Sequence, residues 1–219
     1  MKALKLYIPI LSSLLVACSS EDIETANFGS DTYKNDYNYV NATQYEVAFH
    51  MANTELDGDE RDVSNDKYHV ATLARDSTPA RIRHEHNTNR RISFYAKSVN
   101  KLGMLRQEKL KVNNKQNYHV IAWQDDAEKI QIKLLEKQKQ NKADFFAIRI
   151  LSNETLTITI NDQAINTNKG EVTSWYYVDD CNSDIIINEK PLDLCAISLD
   201  QSYTLVMNNK DIEEIILEE

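Results

Sequence analysis

The sequence predicts an all-β fold, with two tandem small β-sandwich domains of the Ig-like kind. From Tyr37 onward, apolar and polar residues alternate in short segments rich in Tyr, Val, Ile, Phe and Thr, which is the pattern of strands. Polar turns separate these segments at intervals of about 8–12 residues, as is typical of sandwiches and barrels. No long stretch has the 3.6-residue period of an amphipathic helix.

The first half of this pattern contains five predicted strands. The segment 128–140 is rich in Lys and Gln, but Ile130, Ile132 and Leu134 alternate with polar residues, so it predicts a strand rather than a helix. A solvated turn is expected to follow at residues 137–142. The predicted strands are 45–50, 68–73, 91–96, 118–123 and 130–134.

The second half continues the alternation as far as residue 207. Its predicted strands are 146–151, 156–160, 172–178, 185–187, 194–199 and 203–207. The first sandwich is therefore placed at residues 37–142 and the second at 143–219.

Two segments of the second half match segments of the first. Residues 39–49 and 149–160 both read as a strand, a small polar turn and a strand, and residues 114–121 and 199–206 both read as a polar turn, a Tyr and a buried strand. These matches indicate an internal repeat. Because alternation is common to all β-proteins, chance similarity is the alternative.

The first eighteen residues have the order of a bacterial export signal. Lys2 and Lys5 precede an apolar segment at 6–16, which at about 11 residues is shorter than the roughly 20 that span a bilayer. The string LVAC at 15–18 resembles the lipobox of bacterial lipoproteins, with Leu three residues before Cys and small residues between. We therefore predict a lipoprotein signal peptide at 1–17 and lipidation of Cys18, whereas an ordinary secretory signal would make Cys18 incidental.

Residues 18–36 are interpreted as the lipidated Cys and a flexible tether, because they are polar and show no period. Two or three acyl chains on Cys18 would give a lasting anchor, and the tether would reach about 25 Å from the membrane. Ser19, rather than Asp, follows Cys18, which by resemblance to enterobacterial sorting rules favours the outer membrane. The predicted location is the bacterial cell envelope.

Charge argues against a nucleic-acid partner. Removal of Lys2 and Lys5 changes the formal net charge from −9 to −11 in the 202 residues that remain. Binding to phosphates needs a basic surface, which so acidic a chain does not offer.

Cys181 and Cys195 are the cysteines that remain once Cys18 is assigned to the lipid. Two such thiols in an exported protein predict a disulfide bond, with a metal site or two free thiols as alternatives. Their midpoint is Asn188, in a turn-like stretch, so a hairpin folded there would set them opposite each other. If the sandwiches are independent, reduction should lower the melting transition of the second alone.

Three strings carry a resemblance to a known family. They are VNA at 40–42, YHV at 68–70 and NYHVIA at 117–122. With them the chain resembles an uncharacterised all-β domain family of bacterial surface lipoproteins that often occurs in tandem copies. That family opens with Asn-Ala-Ser-Pro, whereas this chain has Asn-Ala-Thr-Gln at 41–44. The resemblance implies no activity and no catalytic residues.

Candidate metal ligands occur at two places. His84 and His86 would share one face of a strand, but several Arg residues surround them, and a solvated strand is the alternative. Asp57 and Asp59 lie in an acidic loop that would hold Ca²⁺ weakly or be merely solvated.

No cofactor is predicted. The aromatic residues Trp123 and Trp175 would serve as ligand platforms or, more commonly in strands, as core and cross-strand packing.

The sequence thus favours a non-enzymatic envelope lipoprotein with a binding or structural role. Its predicted partners are the membrane, through the lipid anchor, and an envelope protein or polysaccharide. The alternative is a lipid-anchored metal-dependent hydrolase that uses His84 and His86, for which no catalytic set is recognisable.

Overall fold

A computed structural model describes residues 33–182, 184–187, 189–208 and 211–219. Within these ranges the chain is all-β, and its short 3₁₀ segments include the turn at Asp66–Tyr68. No helix in the described ranges is long and apolar enough to cross a membrane. The predicted signal peptide, Cys18 and the tether up to residue 32 lie outside the described residues.

The described residues form sixteen strands. Those of the first half are β1 Lys34–Ala42, β2 Val47–Asn53, β3 His69–Leu73, β4 Ala80–Glu85, β5 Arg91–Ser98, β6 Leu105–Lys111, β7 Asn117–Gln124 and β8 Ile130–Glu136. Those of the second half are β9 Phe146–Ser152, β10 Leu156–Ile160, β11 Gln163–Thr167, β12 Tyr176–Val178, β13 Ile185–Ile187, β14 Lys190–Pro191, β15 Ser202–Met207 and β16 Ile212–Leu217.

The strands build four four-stranded sheets, two in each half. In the first half the sheet orders are β4-β1-β7-β8 and β3-β2-β5-β6, and in the second they are β12-β9-β15-β16 and β11-β10-β13-β14. Each second-half strand takes the place of the strand eight numbers earlier. The parallel pair β1 and β7 has the same counterpart in β9 and β15. The two halves therefore share one sandwich topology, as the sequence matches indicate.

Two tyrosines hold equivalent positions in this repeat. Tyr118 lies opposite Tyr37 in the parallel pair of the first sandwich, and Tyr203 lies opposite Ile148 in that of the second. Each hydroxyl accepts a hydrogen bond from the backbone N–H five residues upstream, at 2.7 Å for Tyr118 and 3.1 Å for Tyr203. This is the tyrosine corner of Ig-like sandwiches, and it fixes the turn that leads into β7 and β15.

Some predicted bounds differ from the structure. β1 begins at Lys34, so residues 34–36 of the predicted tether belong to a strand, and Asn35 is buried. The predicted strand at 194–199 is wrong, because Asp193 accepts a hydrogen bond from the N–H of Cys195 and the Ile197 N–H bonds Leu194, which closes a turn.

Sequence reasoning did not predict β6 and β11 as strands. Both are sheet edges that are largely exposed, so their residues are mostly polar and carry no clean alternation.

Three apolar layers separate the four sheets. The first lies between the two sheets of the first sandwich, around Tyr39 and Phe94, and another lies inside the second sandwich, around Ile148 and Ile158. The remaining layer joins the sandwiches. It is formed by Val40, Ala42, Ile121, Trp123, Leu151, Val206 and Ile216. Strands β1, β7, β9 and β15 thus bury both faces, and the two sandwiches stack against each other.

Candidate functional site

The predicted disulfide is present. Cys181 and Cys195 are bonded, with Cα atoms 4.9 Å apart. The bond closes the hairpin of β13 and β14, in which Ile187 pairs with Lys190, and the N–H of Leu194 bonds the carbonyl of Cys181 at 2.6 Å. Pro191 lies in the edge strand β14, where its missing N–H costs no ladder bond.

His86 is buried and His84 is partly buried, so this strand is not simply solvated, which was the alternative to a metal site. Pairing of β4 with β1 brings His84 beside Tyr37, with ring centroids 6.5 Å apart, and His86 is completely buried against Tyr33. The Nε2 atom of His84 lies 3.2 Å from Oδ1 of Asn53. Burial and the charge of His86 lower the pKa of His84 to about 4. The imidazole of His84 is therefore neutral at neutral pH and acts in packing and hydrogen bonding.

The acidic loop is held by bonds of its own. Oδ1 of Asp57 accepts from the N–H of Asp59 at 3.0 Å, and Glu55 pairs with Arg61 at 2.9 Å. In the part of the chain that the structure describes, no group of three or more His, Cys, Asp or Glu side chains is placed to hold a metal ion. Neither Asp57 and Asp59 nor the two histidines belong to such a group in the described residues.

A buried ionic cluster lies between the sandwiches. Glu218 follows β16 and is 1% exposed, and its carboxylate meets Arg149 of β9 at 2.5 Å and His119 of β7 at 3.3 Å. Thr204 donates its hydroxyl to the same carboxylate at 2.5 Å. Arg149 also donates to the carbonyl of Glu136 in β8. The cluster therefore ties the last strand of the second sandwich to two strands of the first.

Electrostatics favour an ionised Glu218. Burial by itself would raise the pKa of this carboxyl, but the hydrogen bond and charge of His119, together with the charge of Arg149, outweigh burial and lower it. The ring of Trp175 covers the Arg149 guanidinium, with 4.8 Å between them. This aromatic residue therefore packs on the ionic cluster and does not form an open platform for a ligand.

The two sandwiches also enclose a cleft of about 320 Å³, which we call the junction cleft. Its wall is built from the ends of β1, β7, β9 and β15 and the loops beside them. The lining residues are Ala42, Gln44, Arg75, Trp123, Gln124, Asp125, Glu128, Asn153, Val206, Asn208 and Glu213. Small-ligand sites span about 300–1,000 Å³, so the cleft lies at the small end of that range.

Each carboxylate of the cleft has a basic partner. Asp125 lies 3.6 Å from Lys169, and Glu128 lies 3.9 Å from Lys101. Glu213 lies 3.6 Å from Arg75, an ion pair that bridges the two sandwiches. The charges that line the cleft are therefore compensated from within the chain.

Two of the lining residues, Trp123 and Asn153, each contain a neutral polar atom that lacks a hydrogen-bond partner. Nε1 of Trp123 and Oδ1 of Asn153 are buried and have no hydrogen-bond partner among the described residues. Trp123 is 5% exposed, and its ring edge packs on Gly170, where an added Cβ would approach Cζ2 to 3.1 Å. Gly170 adopts a φ of +71°, so this position both accommodates the indole and favours glycine.

Sequence reasoning did not find this cleft. Trp123 was predicted as a platform or as packing, and Asn153 only as part of a polar turn. The signal that the sequence offered was the repeat itself, because the turns after β1 and β9 are equivalent and meet at the junction. No protein-family model matches the chain, and no curated protein matches it, so the resemblance to a lipoprotein domain family stays a prediction.

Proposed function

We propose that the chain is a lipid-anchored envelope protein that holds two stacked sandwiches near the outer membrane and binds a ligand in the junction cleft. The role is non-enzymatic. The observation that carries the binding part is the cleft itself, which residues of both sandwiches line together. Concave sites between domains are common ligand-binding positions.

The anchoring part is supported by the sequence and by one structural feature. The lipobox-like LVAC string at 15–18 supports lipidation of Cys18. The Cys181–Cys195 disulfide agrees with an oxidising compartment, because such bonds are rare in the cytosol.

The anchor is tested with Cys18→Ala in the full chain. We expect the protein to move from the detergent phase to the aqueous phase, or to keep its signal peptide, because the acceptor thiol is lost. Detergent-phase partitioning, density separation of inner and outer membranes, and mass spectrometry of the N-terminal peptide measure the outcome. Ser19→Ala, at the next position, is the matched control and should stay lipidated. Unchanged membrane partitioning of Cys18→Ala would contradict the anchor.

A further inference from the structure

We propose that the open edge of β16 binds an extended, basic segment of a partner protein, which adds to the second sandwich as a further strand. This inference goes beyond the proposed function, because it depends neither on a ligand in the junction cleft nor on the lipid anchor.

The outer edge of β16 has backbone groups that an added strand can bond. β16 is the last strand of the sheet β12-β9-β15-β16, and no strand of the described residues pairs with its outer edge. The N–H of Glu218 bonds the carbonyl of Ser202, next to β15, at 2.9 Å. Backbone groups alternate in direction along an antiparallel strand, so those of Ile215 and Leu217 point away from β15. A partner strand would pair with these groups.

The second sandwich leaves this edge more open than the first. In the first sandwich the equivalent strand β8 lies against β6 of the other sheet. In the second, β14 takes the place of β6 and has two residues rather than seven.

A groove of about 360 Å³ lies beside β16. The consecutive residues 211–215 line one side of it, and Asp76 and Asp193 line the rest. Successive side chains of a strand point to opposite faces, so a groove lined by consecutive residues follows the edge of the strand. An extended chain laid in this groove would therefore run along β16.

The charge of the groove favours a basic partner. Its described lining consists of five carboxylates and two isoleucines, namely Asp76, Asp193, Asp211, Glu213, Glu214, Ile212 and Ile215. Arg75, beside the groove, lies 3.6 Å from both Asp76 and Glu213. One guanidinium thus meets five carboxylates. Lysine or arginine side chains of an incoming strand would complement the remaining charge, and its apolar side chains would cover the isoleucines.

Glu214 supports the same conclusion. It is half-buried, and burial together with the charge of Asp76 raises its pKa to about 7. A cation placed beside it would favour the ionised form.

The same charges argue against a second copy of this chain as the occupant. Two β16 edges placed side by side would bring Glu213 and Glu214 of one copy near those of the other, and like charges across a ladder destabilise it. Charged side chains on an edge strand are a common means of preventing such self-association.

The test uses the full chain in a detergent with a neutral headgroup, at pH 8, where Glu214 is largely ionised. The probe is a short synthetic peptide in which lysine alternates with valine. One control peptide has glutamate in place of lysine. The other keeps the lysines but carries N-methyl groups on the amides that would bond β16, so it has the same charge and cannot donate to a ladder.

Fluorescence anisotropy measures the binding of each peptide, and NMR measures amide hydrogen exchange. We expect the lysine peptide to bind and to slow exchange at the amides of Ile215 and Leu217. The amide of Glu218, which already bonds Ser202, is the internal control and should not change. The N-methylated peptide should bind about tenfold more weakly because it loses backbone hydrogen bonds. The glutamate peptide should show no binding.

Glu214→Gln should weaken binding of the lysine peptide by about threefold, the effect of one partly exposed ion pair. This variant should stay folded, because the removed charge opposes folding at pH 8. The matched control Glu46→Gln, at an exposed position in the first sandwich, should bind as the parent does.

The proposal is overturned if the lysine peptide does not bind, if it binds without slowing exchange at Ile215 and Leu217, or if Glu214→Gln binds as tightly as the parent. Equal binding of the N-methylated peptide would mean attraction by charge alone and would overturn strand addition. A dimer in sedimentation, with these two amides protected in the absence of peptide, would identify a second copy as the occupant and would also overturn the proposal.

Discussion

Glu214 and Glu218 show how the surroundings of a carboxylate change its pKa in opposite directions. Glu218 is buried with Arg149 and His119, which hold its pKa below the ordinary 4.5. Glu214, four residues earlier, is half-buried, and burial together with the charge of Asp76 raises its pKa to about 7. The first carboxylate therefore stabilises the fold when ionised, and the second destabilises it.

Glu218→Gln should lower the free energy of unfolding by about 3 kcal/mol at neutral pH, because it leaves a buried guanidinium without its counterion. Urea unfolding followed by fluorescence measures this. Glu219→Gln, at the exposed neighbouring position, is the matched control and should change the stability by less than about 0.5 kcal/mol.

Lowering the pH should reduce the difference in free energy of unfolding between the parent protein and Glu218→Gln. The folded-state pKa of Glu218 is lower than its ordinary value of 4.5, so its contribution is complete above 4.5 and is lost as the pH falls through the folded value. The difference in stability between the parent and Glu218→Gln should therefore shrink as the pH falls below 4.5 and through the folded-state pKa. A gap that is constant from neutral pH to strong acid would contradict the ionic role.

Glu214→Gln should have the opposite pH dependence. Because the folded-state pKa is about 7 rather than 4.5, ionisation opposes folding as the pH rises from 4.5 to 7. The variant should melt at a higher temperature than the parent at pH 8 and at the same temperature at pH 4. Asp76→Asn should reproduce part of the gain, since it removes the second cause of the shift. A gain of equal size at both pH values would point to packing instead.

At the level of elements, the second sandwich compensates for short strands with a covalent bond. Its outer sheet contains the three-residue β13 and the two-residue β14, where the first sandwich has the eight-residue β5 and the seven-residue β6. Fewer ladder bonds hold that hairpin. The Cys181–Cys195 bond lies just beyond it and restricts the unfolded chain.

Replacement of both Cys181 and Cys195 by Ala should lower the free energy of unfolding by about 3 kcal/mol, the chain-entropy value for a loop of about 15 residues. Reduction of the parent protein should have the same effect and should leave the double variant unchanged. Non-reducing peptide mapping of protein taken from the envelope verifies the bond directly. Free thiols at both positions there would contradict it.

At the level of the whole molecule, the sandwiches share a buried layer and an ion cluster. Ile121 belongs to the first sandwich and Ile216 to the second, and both side chains are buried in that layer. Loss of either sandwich would expose apolar surface of the other. We therefore expect the two sandwiches to unfold together. If they unfolded independently, reduction of the disulfide would destabilise only the second sandwich.

Scanning calorimetry of the full chain should show one cooperative transition, and reduction of the disulfide should move it as a unit. Ile216→Ala, in the shared layer, should lower the free energy of unfolding of the whole chain by about 2–5 kcal/mol. The matched control is Leu102→Ala, which lies on a fully exposed turn and should have little effect. Two transitions, with only one sensitive to reduction, would show that the shared layer does not couple the sandwiches.

The sequence by itself determined the all-β class and most of the buried strands. It indicated the repeat, with chance similarity as the alternative, and it predicted the disulfide, with a metal site or free thiols as alternatives; the structure confirms both predictions. Period-2 alternation carries this information, since side chains on successive residues point to opposite faces. The strands that it missed are mainly polar edges such as β6, where neither face is deeply buried.

Only the tertiary structure shows what packs against each face of a given strand. Alternation separates Val120 from Ile121 but does not say that one faces the first core and the other faces the second sandwich. His119 and Glu218 lie 99 residues apart in sequence, and their polar side chains would be expected at the surface, yet they meet in the interior. The junction cleft also arises only when the sandwiches stack, because long-range packing, and not local pattern, brings Trp123 and Asn153 to one wall.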